Sequence, residues 1–247
     1  MARPFFVYLS VWMFLFGRAA IKAFVLQSSP RLTTSQTQLH GVRQFLSNLV
    51  GRNRDKENPT KSTIQDALLR RRTVNNFETK SVSREIVNQA LEAAVHAPCH
   101  KMTEPWRFIL LGNETIREIA ALNAVEIAKK DPAKGAKKQA RWQAIPGWCV
   151  VTSAKSPSDP VQQQEDYAAT ACAVQNFMLS LWDQGVGTKW TSGPITRTSA
   201  FADLCGIDLQ KEQVVGCIWF GYAQEGLDSI PAPRRKRSLE EVVSWQP

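Results

Sequence analysis

The chain has 247 residues, with 31 Lys or Arg against 22 Asp or Glu, a formal net charge of +9 and only three histidines. The surplus is uneven: residues 1–54 hold seven basic side chains (Arg3, Arg18, Lys22, Arg31, Arg43, Arg52, Arg54) and no acid, which leaves 24 basic and 22 acidic residues in 55–247. A nucleic-acid binder needs basic charge clustered on its folded domain, so this balance speaks against nucleic acid as a partner. Five cysteines, an odd number without CxxC spacing, likewise speak against a disulfide scaffold or structural zinc; Cys149, Cys172 and Cys217 lie in apolar runs and read as small core residues.

Arg3 precedes an apolar run from Phe5 to Phe16, followed by the small residues Ala19, Ala20 and Ala23, which is the plan of a secretory signal peptide. The run is too short to span a bilayer, which takes about 20 helical residues, so no stable membrane span is expected in the mature protein. VLQSSPRLTTSQTQLHGVRQ then supplies Ser, Thr, Gln and Arg without acid, the composition of an organelle transit peptide. With Ala23-Phe24 at the join, residues 1–54 resemble the bipartite plastid-targeting leaders of algae with secondary plastids. That resemblance implies a removed or disordered leader and a plastid location; secretion or another organelle is the alternative.

One folded domain is expected over 62–247, without internal repeat or second linker. KSTIQDALLRRR carries a Ser62-x-x-Gln65 capping box, and Ile64, Ala67, Leu68 and Arg71 share one helical face. Arg71 and Arg72 are thereby placed at or just past a helix C-terminus. SREIVNQALEAAVHAP predicts a second helix ended by Pro98, and RFILL a strand beyond it. ETIREIAALNAVEIAKK predicts a third helix, fading into DPAKGAKKQA, which reads as a mobile lysine-rich excursion. GWCVVTSA reads as a buried strand. DYAATACAVQNFMLSLWDQG is apolar on nearly every face, as suits a central helix covered by neighbours or by a partner subunit. GVGTKWTSG gives a turn and short strand, and VVGCIWFGYA a buried strand. The class is α+β, an α/β sandwich with a small mixed or antiparallel sheet flanked by helices.

No GxGxxG follows a strand and no GxxxxGK[ST] occurs, so a Rossmann-type nicotinamide site is disfavoured. Phosphate could instead be held by arginine, whose planar fork matches its oxygens in pairs. Arg70-Arg71-Arg72-Thr73 and Arg234-Arg235-Lys236-Arg237 offer that fork. Each alone reads as a solvated basic face; together they gain meaning if the tail folds back onto the first helix. His96 and His100 stand four apart, but Pro98 between them breaks the helix a metal pair would need. Cys99 has no recognisable third partner for nucleophilic catalysis. No metal ligand and no catalytic side chain is assigned.

Four blocks, in order, resemble the nitroreductase family of FMN flavoproteins, close to its short bacterial branch. RRRTVNNF is similar to the family's Arg-Arg-Ser-x-Arg-x-Phe opening. APCHKMTEPWRF is similar to its Ala-Pro-[Ser/Asp]-x-x-x-x-Gln-Pro-Trp-[Arg/His]-Phe block. AVQNFMLSLWDQGVGTKWTSG is similar to its long helix, Gly-x-Gly and Trp-x-Ser-Gly strand, and GYAQ with RRKRSLEEVV to its closing region. The resemblance implies that Arg71, Arg72 and Thr73 hold the FMN phosphate and ribityl chain, with Arg235 and Arg237 closing from the tail. It implies that His96 and His100 lie along the flavin, and that Trp190, Thr191, Ser192 and the Gly193 amide pass its ring. The helix end around Ser180 to Gly185 would help receive the nicotinamide nucleotide. A homodimer with FMN between subunits is implied as well.

Two departures stand out: Asn75 replaces the arginine that follows the motif's Ser-x, and Thr103-Glu104 precede Pro105 where Gln is usual. The implied activity is transfer of reducing equivalents from NAD(P)H through FMN to a nitroaromatic, quinone or activated alkene. The rivals are a dehalogenase-like or flavin-cleaving enzyme of the same fold and a flavin-binding or redox-sensing module without turnover.

Overall fold

Four antiparallel strands form one sheet in a computed structural model. The structure describes residues 64–246, so the leader and the capping position Ser62 lie outside the described residues. The strands are β1 (Trp106–Leu110), β2 (Gly147–Ala154), β3 (Gly187–Thr191) and β4 (Glu212–Gly221), in the order β1-β2-β4-β3. All three pairings are antiparallel, and β1 and β3 are the two edges.

β2 and β4 read as continuous apolar runs because both of their faces are covered. On one face Cys149, Val151, Ile218 and Phe220 pack against α2 (Arg84–Val95) and α5 (Pro160–Asp183) through Ala90, Ala94, Ala173, Phe177 and Leu181. On the other, Trp148, Val150, Cys217 and Trp219 meet Ile116 and Ile119 of α3 (Asn113–Ala128) and Phe201 and Cys205 of α6 (Ser199–Cys205). Strand alternation decides which residue joins which core. Phe177 and Phe201 are fully enclosed, each worth about 1.5–3 kcal/mol relative to exposure.

Helix starts follow their capping residues. Ser83 accepts from the Ile86 amide at the head of α2, and Asp159 accepts from the Gln162 amide with Pro160 in the first turn of α5. α5 therefore begins six residues before the segment whose apolar pattern marked it. Its buried side includes Ala169, Val174, Phe177 and Met178, whereas Tyr167 and Cys172 are exposed in the single protomer. Cys172 is thus no core residue here, because it falls on the helix face turned from the sheet; the buried thiols are Cys149, Cys205 and Cys217.

DPAKGAKKQA is an ordered helix, not a loop. Asp131 caps α4 (Pro132–Gln143) by accepting from the Lys134 amide. Gly135 lets it lie on α3, since a Cβ there would come 2.8 Å from Ala124 O and 2.9 Å from Ala128 Cβ. Among the described residues no helix is long and apolar enough to cross a membrane.

Candidate functional site

The site is assembled by a strap of chain after α1 (Ile64–Arg70). Thr73 bridges Thr188 of β3 in parallel, with the Val74 amide on Thr188 O at 2.9 Å, and Phe77 bridges Ala223 just past β4. The strap thus extends the sheet beyond edge β3 and carries Arg71, Arg72 and Asn75 beside Gly187–Thr191.

The C-terminal segment returns to α1. Arg70 pairs with Asp228, and the Arg235 charge reaches Arg71. Arg72 Nη1 donates to Leu69 O at 2.7 Å and Arg71 O at 3.0 Å, closing the end of α1. Arg71 is half-buried, and its Nη1 is buried without a hydrogen-bond partner. Burial first, then the like charges of Arg72 and Arg235, press its guanidinium below its ordinary value. Like charges gathered around an unused donor are stabilised by an anion, and a phosphate with several acceptor oxygens fits that demand. Arg237 instead donates to Glu241 O at 2.6 Å within the tail's own turn.

Further along the strap, Asn75 contacts two residues, Lys189 and Arg141, that line a cavity of about 810 Å³, within the range of small-molecule sites. Trp142, Trp219, Ile127, Ile195 and Pro194 give it apolar walls, and Lys189, Thr191 and Gly193 enter from β3 and the turn after it. Lys189 Nζ donates to Asn75 Oδ1 at 2.8 Å and sits 5.5 Å from the Trp219 ring centre. Arg141 of α4 donates to Asn75 O at 3.0 Å. Burial, then the charges of Arg141 and Lys138, lower the Lys189 ammonium from its usual value. The Asn123 amide nitrogen, also on the cavity wall, is buried and unpartnered.

Of the WTSG stretch, Thr191 and Gly193 reach the cavity. Trp190 does not, because alternation turns it to the other face of β3, over Gly216, where any Cβ would strike its indole nitrogen. Ser192 is exposed and also off the cavity wall. Thr73 is exposed on the strap.

His96 and His100 sit elsewhere. His96 is the C-cap of α2, 3.6 Å from Glu92 Oε1, and His100 lies in a short 3-10 turn, His100–Met102, 4.0 Å from Glu165 Oε2. Their side chains are 74% and 58% exposed, and the turn leads into β1, the sheet edge opposite β3. Lys101, Met102 and Glu104 all have positive φ (55°, 52° and 45°), a costly choice for three non-glycine residues so close together. The loop is held by Thr103 Oγ1, which donates to buried Asp166 at 2.6 Å and lies 3.2 Å from Cys99 Sγ, and by the Glu104 amide on that same sulfur at 3.1 Å. Glu104 is exposed and off the cavity wall. The helix end at Ser180 to Gly185 forms the turn into β3, with Gly185 at φ 77°.

Sequence reasoning passed over Lys189, Asn123, Lys138 and Arg141. Lys189 was within reach, since alternation from Thr191 puts it on the cavity side; Lys138 and Arg141 depend on α4 being ordered, and Asn123 on which face of α3 meets the cavity.

Residues 68–222, well over half of the chain, match the family model described as the nitroreductase family. The chain belongs to the nitroreductase family. YfhC of Bacillus subtilis (strain 168), whose name places it among NAD(P)H nitroreductases, is 28% identical over 169 residues, covering 66% of this chain and 86% of its own length. The crystal structure of a nitroreductase-like family protein from Bacillus cereus superposes with TM-score 0.65 at 29% identity, over 76% of this chain and 97% of that one. That of NfnB from Sphigopyxis sp. strain HMH, described as an FMN and NADPH-dependent nitroreductase, shares the nitroreductase fold with TM-score 0.60 at 18% identity, over 75% and 99%. The family match ends at residue 222, so Arg235 and its contact with Arg71 lie outside it.

Proposed function

We propose that this chain is an NAD(P)H-dependent FMN oxidoreductase that works as a homodimer. It would reduce a small acceptor such as a nitroaromatic, a quinone or an activated alkene. The observation that carries this reading is the unpartnered, buried Arg71 Nη1 among the charges of Arg72 and Arg235, on the strap whose Asn75 contacts the wall of a cavity large enough for a ring system.

Arg71 and Arg235 would hold the phosphate, while Arg72 fixes the turn that aims Arg71. Thr191, Gly193 and Lys189 would meet the ring, with Trp142 and Trp219 keeping water from its surroundings. FMN supplies the electron-carrying chemistry when bound. With a nitro acceptor the exchange balances as NAD(P)H + H⁺ + R–NO₂ giving NAD(P)⁺ + R–NO + H₂O. The chain's own part is to bind, orient and exclude.

The dimer reading rests on placement. His96, His100 and the strained turn stand at edge β1, while the cavity stands at edge β3. A second copy could bring one edge to the other and cover the exposed side of α5, including Tyr167. Delivery to a plastid is part of the proposal and is supported by the acid-free leader alone; a fluorescent fusion of residues 1–54 that is secreted would contradict it.

The test is steady-state oxidation of NADH and NADPH by the purified protein with added FMN, followed with and without a quinone or nitroaromatic. Acceptor-dependent oxidation is expected. Flavin bound without any oxidation would favour the non-turnover module, and a folded, colourless protein that takes up no FMN would contradict the reading.

A further inference from the structure

Beneath the flavin assignment lies an imbalance in the cavity wall. Lys134, Lys138 and Arg141 follow one another at helical spacing along α4, Lys130 precedes them, and Lys189 faces them from β3. Two carboxylates share the wall, and both have other duties. Glu126 binds Lys129 Nζ through both oxygens, at 2.6 and 2.8 Å, and Asp131 caps α4. The Asn123 amide nitrogen adds a buried donor without a partner. The polar groups left free on this wall are therefore donors and cations, set around the flat apolar surfaces of Trp142 and Trp219.

We propose that the cavity selects planar aromatic acceptors that carry an anionic group, a carboxylate or sulfonate, over neutral acceptors of the same shape. The ring rests against Trp142, Trp219 and Ile195, and the anion meets Lys134 and Lys138, with the Asn123 amide as a further donor. This deepens the oxidoreductase reading and rests on it for turnover, though not for binding. The lowered Lys189 ammonium agrees with a cavity whose positive charge is undercompensated. Arg71 and Arg235 would hold the flavin phosphate and neither lines this cavity, so the α4 lysines answer to a second anion.

The two readings are separated by reading binding apart from turnover. Trp142 and Trp219 form part of the wall, so quenching of tryptophan fluorescence reports occupancy by a nitroaromatic whether or not reduction follows. Para-nitrobenzoate is titrated against para-nitrobenzamide, its neutral counterpart, into the FMN-supplemented full chain. The benzoate should bind about tenfold more tightly, as one charge-assisted contact provides, and the gap should narrow with added salt. Lys134→Gln with Lys138→Gln should bring the two ligands together, while Lys137→Gln, off the cavity wall, should preserve the gap. Equal binding by the unaltered protein would overturn the proposal, as would a gap that survives the double substitution. If the double substitution instead changes only the ratio of NADPH to NADH affinity, the wall reads the donor's extra phosphate and the proposal also falls. Loss of flavin bands or of NAD(P)H oxidation would fail the oxidoreductase reading alone and leaves the fluorescence result to decide this one.

Discussion

Lys189 Nζ donates to Asn75 Oδ1, tying β3 to the strap that follows α1. Asn75 stands where the nitroreductase motif usually carries the arginine after Ser-x, and Lys189 brings a cation to that position from the neighbouring strand. Lys189→Met should weaken FMN retention about tenfold, the loss of one hydrogen bond to a charged group. Asn75→Arg in the Lys189→Met background should restore most of it. Equilibrium dialysis of FMN against the unaltered protein and the two variants checks this; a double variant no better than Lys189→Met would argue against the substitution of one cation for another.

The arginine cluster predicts a graded series. Arg71→Ala and Arg235→Ala should each lower FMN affinity by about tenfold or more, since each removes a charge-assisted phosphate contact. Arg237→Ala should do less, because its guanidinium is occupied with Glu241 O. Without FMN, inorganic phosphate should raise the melting temperature of the unaltered protein and have little effect on Arg71→Ala. Ligand-free melting scans in phosphate and in an uncharged buffer separate the two.

Much of this was legible in advance, for identifiable reasons. The apolar spacing of α2, its stop before Pro98 and the apolar runs of β2 and β4 are local signals that tertiary structure has no cause to override, and these elements appear where the sequence predicts them. The arginine at the end of α1 followed from helical spacing. What stayed hidden was longer in range. α4 looked like a loop because lysine hides a helix whose stability comes from an Asp131 cap and from Gly135 lying against Ala124 and Ala128. The family resemblance implies Trp190 at the ring together with Thr191, but alternation along β3 can put only one of two neighbours on the cavity side, and it puts Thr191 and Lys189 there. His96 and His100 lie at the far sheet edge, and neither motif nor spacing fixes how copies of the chain associate.

Gly135→Leu should destabilise the protein by about 1–3 kcal/mol, the usual cost of forcing volume into a filled contact. It should also disturb the wall formed by Lys138 and Arg141. Urea denaturation gives the first quantity, and FMN affinity the second.

The buried thiols predict alkaline sensitivity. Burial pushes Cys149 up to about 12 and Cys205 up to about 11. A folded-state value above the unfolded one contributes stability below the unfolded pKa of about 8.5 that is lost as pH rises toward the folded value. Stability should therefore decline between about pH 8.5 and 12, and Cys149→Ala should lessen the decline across that window even though it costs stability at neutral pH. Denaturant midpoints measured across the window give the answer. At neutral pH, Cys149, Cys205 and Cys217 should resist thiol reagents until the protein unfolds.

The central claim is that a phosphate-bearing flavin is held by Arg71 with Arg235. Its most direct test is a spectral titration of the flavin-free protein with FMN and, separately, with riboflavin, which has the same ring and no phosphate. Saturable binding of FMN, with riboflavin weaker by about a hundredfold as befits two lost charge-assisted contacts, is the predicted result. Equal affinity for the two, or no binding of either by the folded protein, would contradict it.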